Sequence, residues 1–108
     1  KLHASALRVP VVTGSLIELT CIIEKDATVE EINTAFRESA SHEYAGILQY
    51  NEDPIVSSDI VGNKYSSIYD APLTQVQDRL VKITSWYDNE SGYAARMADL
   101  TLKMCQLI

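Results

Sequence analysis

The sequence predicts an α+β domain: a largely antiparallel or mixed sheet with two helices on one face. Three observations carry this. Residues 16–24 and 79–87 alternate apolar and polar side chains with the two-residue period of a strand. Two further stretches, opening near Thr28 and Asp88, repeat apolar residues at helical spacing. Between them lie short runs rich in Ile, Val and Tyr, cut by Pro and Gly turns. A chain of 108 residues is one domain, 1–108, and buries roughly 60–70% of its unfolded surface without needing a metal or a disulfide.

The first strand places Ile17, Leu19, Cys21 and Ile23 on one face, and Leu16, Ile22, Glu18, Thr20 and Glu24 on the other. A helix follows. Thr28 and Glu31 have capping-box spacing, and Val29, Ile32, Phe36 and Ala40 form one stripe that ends at Ser41-His42. Residues 46–50 are a short apolar segment, and Asn51-Glu52-Asp53-Pro54 is a turn. Ile55–Val61 reads as a strand, Gly62-Asn63 as a hairpin turn, and Tyr65–Tyr69 as the partner strand, broken by Asp70-Ala71-Pro72. Residues 79–87 form the last strand. Asp88-Asn89 offers N-cap chemistry to a helix whose stripe is Tyr93, Met97, Leu100 and Met104. The methionines of that stripe are expected in the core. The order is therefore β-α-β-β-β-α.

Composition excludes several functions. The formal charge is −6, and the nine basic residues are scattered, so no basic face exists for a nucleic acid. No apolar run approaches the ~20 residues of a membrane span. Cys21 and Cys105 read as two buried thiols and not as a secreted disulfide framework; a cytoplasmic protein is the default. His3 and His42 lie far apart, read as solvent-exposed, and belong to no metal pattern. The first residues form no signal peptide and include no start methionine, which suggests an excised or truncated segment.

Two segments carry more chemistry than the rest. Arg8-Val9-Pro10 puts an arginine near the start of a long strand; it is either a surface charge or a fork aimed at a phosphate. Ser85–Tyr93 packs aromatics, an amide and two acids into a strand-to-helix junction, where backbone N–H groups meet ligands. Asn89 there can both donate to and accept from an amide; capping by Asp88 or Asn89 is the plainer role, and the two are compatible.

These segments are similar to landmarks of one family. Ala6-Leu7-Arg8-Val9-Pro10, Glu52–Asp59, Ser66–Ala71 and above all Leu80–Glu90 with Gly92-Tyr93 resemble, in order and spacing, the catalytic domain of phosphorylating glyceraldehyde-3-phosphate dehydrogenases. Trp86-Tyr87-Asp88-Asn89 favours that branch over the related erythrose-4-phosphate dehydrogenases. The resemblance implies that Arg8 binds phosphate, that Asn89 hydrogen-bonds the nicotinamide carboxamide of NAD or NADP, and that Tyr93 packs near that ring; Glu90 is given a structural role. It also implies what these residues do not supply. The family's Rossmann domain, nucleophilic cysteine segment and catalytic histidine motif have no counterpart here, and neither Cys21, Cys105, His3 nor His42 can stand in for them. The expectation is a catalytic-domain fragment of a glycolytic, oligomeric oxidoreductase, inactive and without tight cofactor binding alone. Its expected partners are the remainder of the dehydrogenase chain or sister subunits. The alternative is a standalone non-catalytic binding module from the same family. Because both main strands are apolar on both faces and two helices cover only one, self-association is also expected.

Overall fold

The computed structural model describes residues 2–107. It is a mixed five-stranded sheet with two helices, the α+β class that the patterning predicts. The elements run β1 (Ser15–Ile22), α1 (Val29–Ser41), β2 (Leu48–Asn51), β3 (Ser67–Asp70), a 3-10 turn (Ala71–Leu73), β4 (Gln75–Gln77), β5 (Leu80–Tyr87) and α2 (Ser91–Cys105).

β5 is the centre. Along its whole length it pairs antiparallel with β1, from Ser15 opposite Tyr87 to Ile22 opposite Leu80. Its other side is shared end to end. β3 pairs antiparallel at Trp86 and Ser85, and β4 pairs at Leu80–Lys82. β2 then extends the sheet beyond β3.

Strand β2 runs parallel to β3, with Leu48 opposite Ser67 and Asn51 opposite Asp70. This overturns the strand expected at 55–61 and its Gly62-Asn63 hairpin. Parallel neighbours need a crossover of about a dozen residues, not a tight turn, and residues 52–66 supply it. Within it, 57–62 winds into turns. The Asp59 carboxylate accepts the Val56 N–H at 2.8 Å, and a local bond of this kind diverts the backbone from any ladder. One apolar residue of this stretch is still used: Ile60 is buried as a plug, while its neighbour Val61 is exposed.

Helix α1 forms as its capping box predicts. Thr28 Oγ1 accepts the Glu31 N–H at 3.2 Å, and Glu31 Oε2 accepts the Thr28 N–H at 2.7 Å. The Thr28 N–H and the Thr28 hydroxyl, which donates to Glu31 Oε2 at 2.9 Å, hold the Glu31 carboxyl below its ordinary range. The helix lies over the β2–β3 edge. Phe36 stacks on Tyr69 with ring centroids 3.9 Å apart, and the Tyr69 hydroxyl donates to Asn33 Oδ1 at 2.7 Å and also bonds Thr74 Oγ1. Burial raises the Tyr69 phenol above its ordinary range. Arg37 adds a rim contact, reaching Glu52 at 2.9 Å and the Tyr50 hydroxyl at 3.0 Å.

The core sits where these elements meet: Ile60, Ile68, Tyr69, Ala71 and Val81. Trp86 Nε1 donates to Asp70 Oδ2 at 2.8 Å on the opposite face of the sheet from Tyr69. The far side of the sheet is less covered. Ile17 and Leu19 on one face of β1, and Leu16 and Ile22 on the other, are all exposed. The expected core role of the second helical stripe also fails. Met97, Leu100 and Met104 are each about half exposed, and Tyr93 is 70% exposed. Cys105, expected buried, is exposed, whereas Cys21 is half-buried in β1. The described ties of α2 to the rest of the domain, at Gly92 and Arg96, lie in its first half, and Leu100, Met104 and Cys105 lie beyond them.

Candidate functional site

The junction from β5 to α2 is the best-built polar site among the described residues, and Asp88 organises it. Asp88 is 4% exposed. Its Oδ1 accepts the N–H groups of Glu90 at 2.8 Å and Ser91 at 2.9 Å. Its Oδ2 accepts the Gly62 N–H at 2.8 Å and the Ser91 hydroxyl at 3.2 Å. The Gly92 N–H donates to the Asp88 carbonyl at 3.1 Å. The N-cap position of α2, Glu90, makes no side-chain cap bond; Asp88, two residues earlier, takes the capping role expected of Asp88-Asn89 by accepting the donors at the start of the helix. The backbone donors of Ser91, Gly62 and Glu90 hold its carboxyl down at about 2.

Two contacts brace the same junction from α2. Gly92 packs so closely that a Cβ there would lie 2.9 Å from the Tyr65 carbonyl oxygen. Arg96 donates to Ser66 Oγ at 3.0 Å and to the Lys64 carbonyl at 3.5 Å, while Asp99 holds the other side of its fork at 2.7 Å.

Above this frame is a cleft of about 240 Å³, lined by Ser66, Tyr87, Asp88, Asn89, Gly92, Tyr93 and Arg96. The structure therefore brings Asn89 and Tyr93 together, and adds Tyr87 and Arg96, which the sequence reading leaves out. Asn89 is exposed. Among the described residues its carboxamide makes no hydrogen bond within the chain, so both its donors and its acceptor face outward. A second, wider hollow of about 700 Å³ shares only Arg96 with the cleft; it is walled by Gly62, Lys64, Tyr65 and alanines of α2.

Arg8 lies elsewhere. The strand expected to follow it begins only at Ser15, and residues 2–14 form no regular element. Arg8 is exposed and lines neither hollow. The segment is anchored at its end, where a Cβ on Gly14 (φ +92°) would lie 2.9 Å from Ile60 Cδ1 and 3.3 Å from the Ser57 carbonyl.

Among the described residues no cysteine or serine side chain is hydrogen-bonded to a histidine. Cys21 lies within β1 and Cys105 at the end of α2, while His3 is exposed and the exposed His42 is engaged by its Nδ1 with the Glu38 carbonyl at 2.9 Å. Among the described residues no three His, Cys, Asp or Glu side chains gather as metal ligands, and no helix is long and apolar enough to cross a membrane.

A profile described as "Glyceraldehyde 3-phosphate dehydrogenase, C-terminal domain" matches residues 1–89. The chain belongs to the glyceraldehyde-3-phosphate dehydrogenase family. Proteins of that name are similar to it over nearly all of its length: 54% identical in Mycolicibacterium smegmatis, covering 93% of this chain and 29% of the relative; 53% identical in Mycobacterium avium, covering 93% and 30%; and 48% identical in Kitasatospora aureofaciens, covering 92% and 30%. The chain thus corresponds to the C-terminal part of a glyceraldehyde-3-phosphate dehydrogenase and spans about three-tenths of the length of these relatives. The profile ends at Asn89, so it covers the junction strand and the cap but not α2.

Proposed function

We propose that this chain contributes one wall of the nicotinamide pocket of a cytoplasmic, glycolytic glyceraldehyde-3-phosphate dehydrogenase, and a phosphate-binding arginine, Arg8. The supporting observation is the cleft in which Asn89 presents an unengaged carboxamide beside Tyr87 and Tyr93. The donor set fits. A carboxamide pairs with a carboxamide through one donor and one acceptor, and Tyr93, 70% exposed, offers a flat apolar surface to a planar ring. When bound, NAD (or NADP) would supply the hydride acceptor; Asn89 would fix which ring face is presented, and Tyr93 would limit water at that edge. A cleft of about 240 Å³ suits one end of a dinucleotide and not the whole, so the chain alone would bind NAD only weakly and turn over nothing.

In this reading the partners are the remainder of a dehydrogenase chain and sister subunits, with no nucleic acid and no membrane. The open apolar faces of β1 support association. In the intact gene product, Asn89→Ala is expected to weaken NAD binding about tenfold, roughly 1.4 kcal/mol, and to leave ADP-ribose binding unchanged, because ADP-ribose lacks the nicotinamide. Unchanged NAD affinity would overturn the reading. Intact mass of the natural product separates a longer dehydrogenase from a standalone module of 108 residues.

A further inference from the structure

We infer that Asp88 is the positioning residue of the nicotinamide wall, strapping the turns at 57–62 to the first turn of α2 and so fixing the backbone that carries Asn89. The inference rests on the reading of Asn89 given above. Asn89 makes no side-chain bond of its own among the described residues, so its direction is inherited from its backbone. That backbone is held from the preceding residue. Asp88 divides its two oxygens: Oδ1 serves the N–H groups of Glu90 and Ser91, and Oδ2 serves the Gly62 N–H, 26 residues away in sequence, together with the Ser91 hydroxyl. One carboxylate thereby makes both the cap and the strap.

The strapped turns are themselves rigidly seated. Ile60 is buried, Asn63 returns its N–H to the Ile60 carbonyl at 3.0 Å, and Gly14 closes on Ile60 and the Ser57 carbonyl. Gly92 and Arg96 tie α2 to residues 64–66, and the Gly92 N–H closes the turn at Asn89 on the Asp88 carbonyl; it is the Asp88 carboxylate that links that turn to Gly62. The lowered pKa of Asp88 agrees with a carboxylate filled by four donors.

The chemistry offers a selective probe. Asparagine retains one acceptor oxygen, which can keep the cap, but its NH2 would then face the Gly62 N–H, donor against donor. Asp88→Asn therefore cuts the strap while keeping the cap. Asp88→Ser keeps capping ability on a side chain too short to reach Gly62, and serves if the first variant does not fold. The measurements, on the intact gene product, are calorimetric titrations with NAD and with ADP-ribose, and amide exchange over 60–65 and 88–92. Either variant is expected to weaken NAD about tenfold, to leave ADP-ribose unchanged, and to speed exchange at Gly62 about tenfold. Unchanged NAD affinity in both variants, alongside a loss in Asn89→Ala, overturns the positioning role alone. An equal loss for NAD and ADP-ribose also overturns it, because general loosening would act on both. If Asn89→Ala itself leaves NAD unchanged, the nicotinamide reading has failed, and the Asp88 role fails with it.

Discussion

Gly92 sets two effects of similar size against each other. It is the second residue of α2 and is buried. Its φ is not positive, so alanine is sterically allowed by the backbone. On helix propensity alone, Gly92→Ala would stabilise α2 by up to about 1 kcal/mol. Packing opposes this. The added Cβ would lie 2.9 Å from the Tyr65 carbonyl oxygen and 3.6 Å from Ser66 Cα. Neither is a flexible side-chain tip. The Tyr65 N–H is fixed on Asn63 Oδ1 at 2.9 Å and the Ser66 N–H on the Ile47 carbonyl at 2.8 Å, so the strand leading into β3 cannot yield cheaply. Overpacking of this kind costs about 1–3 kcal/mol. The propensity gain shrinks in a first turn, so packing wins by about 1 kcal/mol. That corresponds to a Tm lower by roughly 5 °C for a domain of this size. Thermal unfolding followed by circular dichroism is the assay. Ala98→Gly, on an exposed turn of α2, is the control, expected to lose about 1 kcal/mol by propensity alone. The two substitutions are opposite in chemistry and should share a sign in stability. A Tm for Gly92→Ala above that of the parent chain would refute the close-packing argument.

Three further outcomes follow from the geometry. The Asp88 carboxyl is lowered to about 2 on folding, so its contribution is complete above the ordinary carboxylate pKa of about 4 and is lost as pH falls toward 2; urea midpoints should drop across that window, and Asp88→Asn should flatten the drop. Phe36→Ala removes the stack on Tyr69; because Phe36 is only half-buried, the loss should be about 2 kcal/mol, below the 3–5 of a fully buried phenylalanine, and a denaturant titration showing under about 0.5 kcal/mol would mean that α1 is held by its rim alone. The exposed faces of β1 should drive self-association of the chain at micromolar concentration; sedimentation of a clean monomer that binds no apolar dye would show that the sheet is covered from within.

Much of the fold was legible because its signals are local. The Thr28–Glu31 box and the stripe through Phe36 act within a few residues, and the structure keeps both. The alternation of 79–87 marks a strand, and β5 forms there; that it is paired on both edges is not in the pattern. Where the outcome depended on a distant partner, the sequence misled. Ile55–Val61 has the β-branched composition of a strand, yet the parallel pairing of β2 and β3 turns it into a crossover, and Asp59 bends it locally. β4 was invisible because Gln75–Gln77 holds one apolar residue, and its hairpin turns on Asp78 at φ 54°, a conformation that only a few residue types adopt without large strain. The α2 stripe shows where periodicity stops: it reveals that a helix has an apolar face, but nothing about what covers that face.

The site divides along the same line. Asn89 and Tyr93 are four residues apart at the opening of one helix, so spacing alone puts them on one side of it, and the cleft contains both. Tyr87 belongs to the same few residues and could have been found there. Arg96 could have been found too, as the next polar position one turn on. Arg8 stands apart from the cleft, and no local pattern relates the two, since a phosphate anchor and a nicotinamide wall must be brought together by the rest of a larger pocket. The contact that joins them within this chain is Asp88 to Gly62 and, through Ile60, to Gly14 at the end of the Arg8 segment. Each step of it spans more sequence than any helix or hairpin period. A glycine with φ +79° marks Gly62 as a turn, but a turn's free N–H names no acceptor. What selects Asp88 is geometry set by the crossover, the same feature that the sequence reading mistook for a strand. The misread fold element and the unforeseen Asp88–Gly62 contact therefore have one physical origin: residues 52–66 cross between β2 and β3 instead of entering the sheet as a strand, and in doing so bring a backbone donor to the carboxylate beside Asn89.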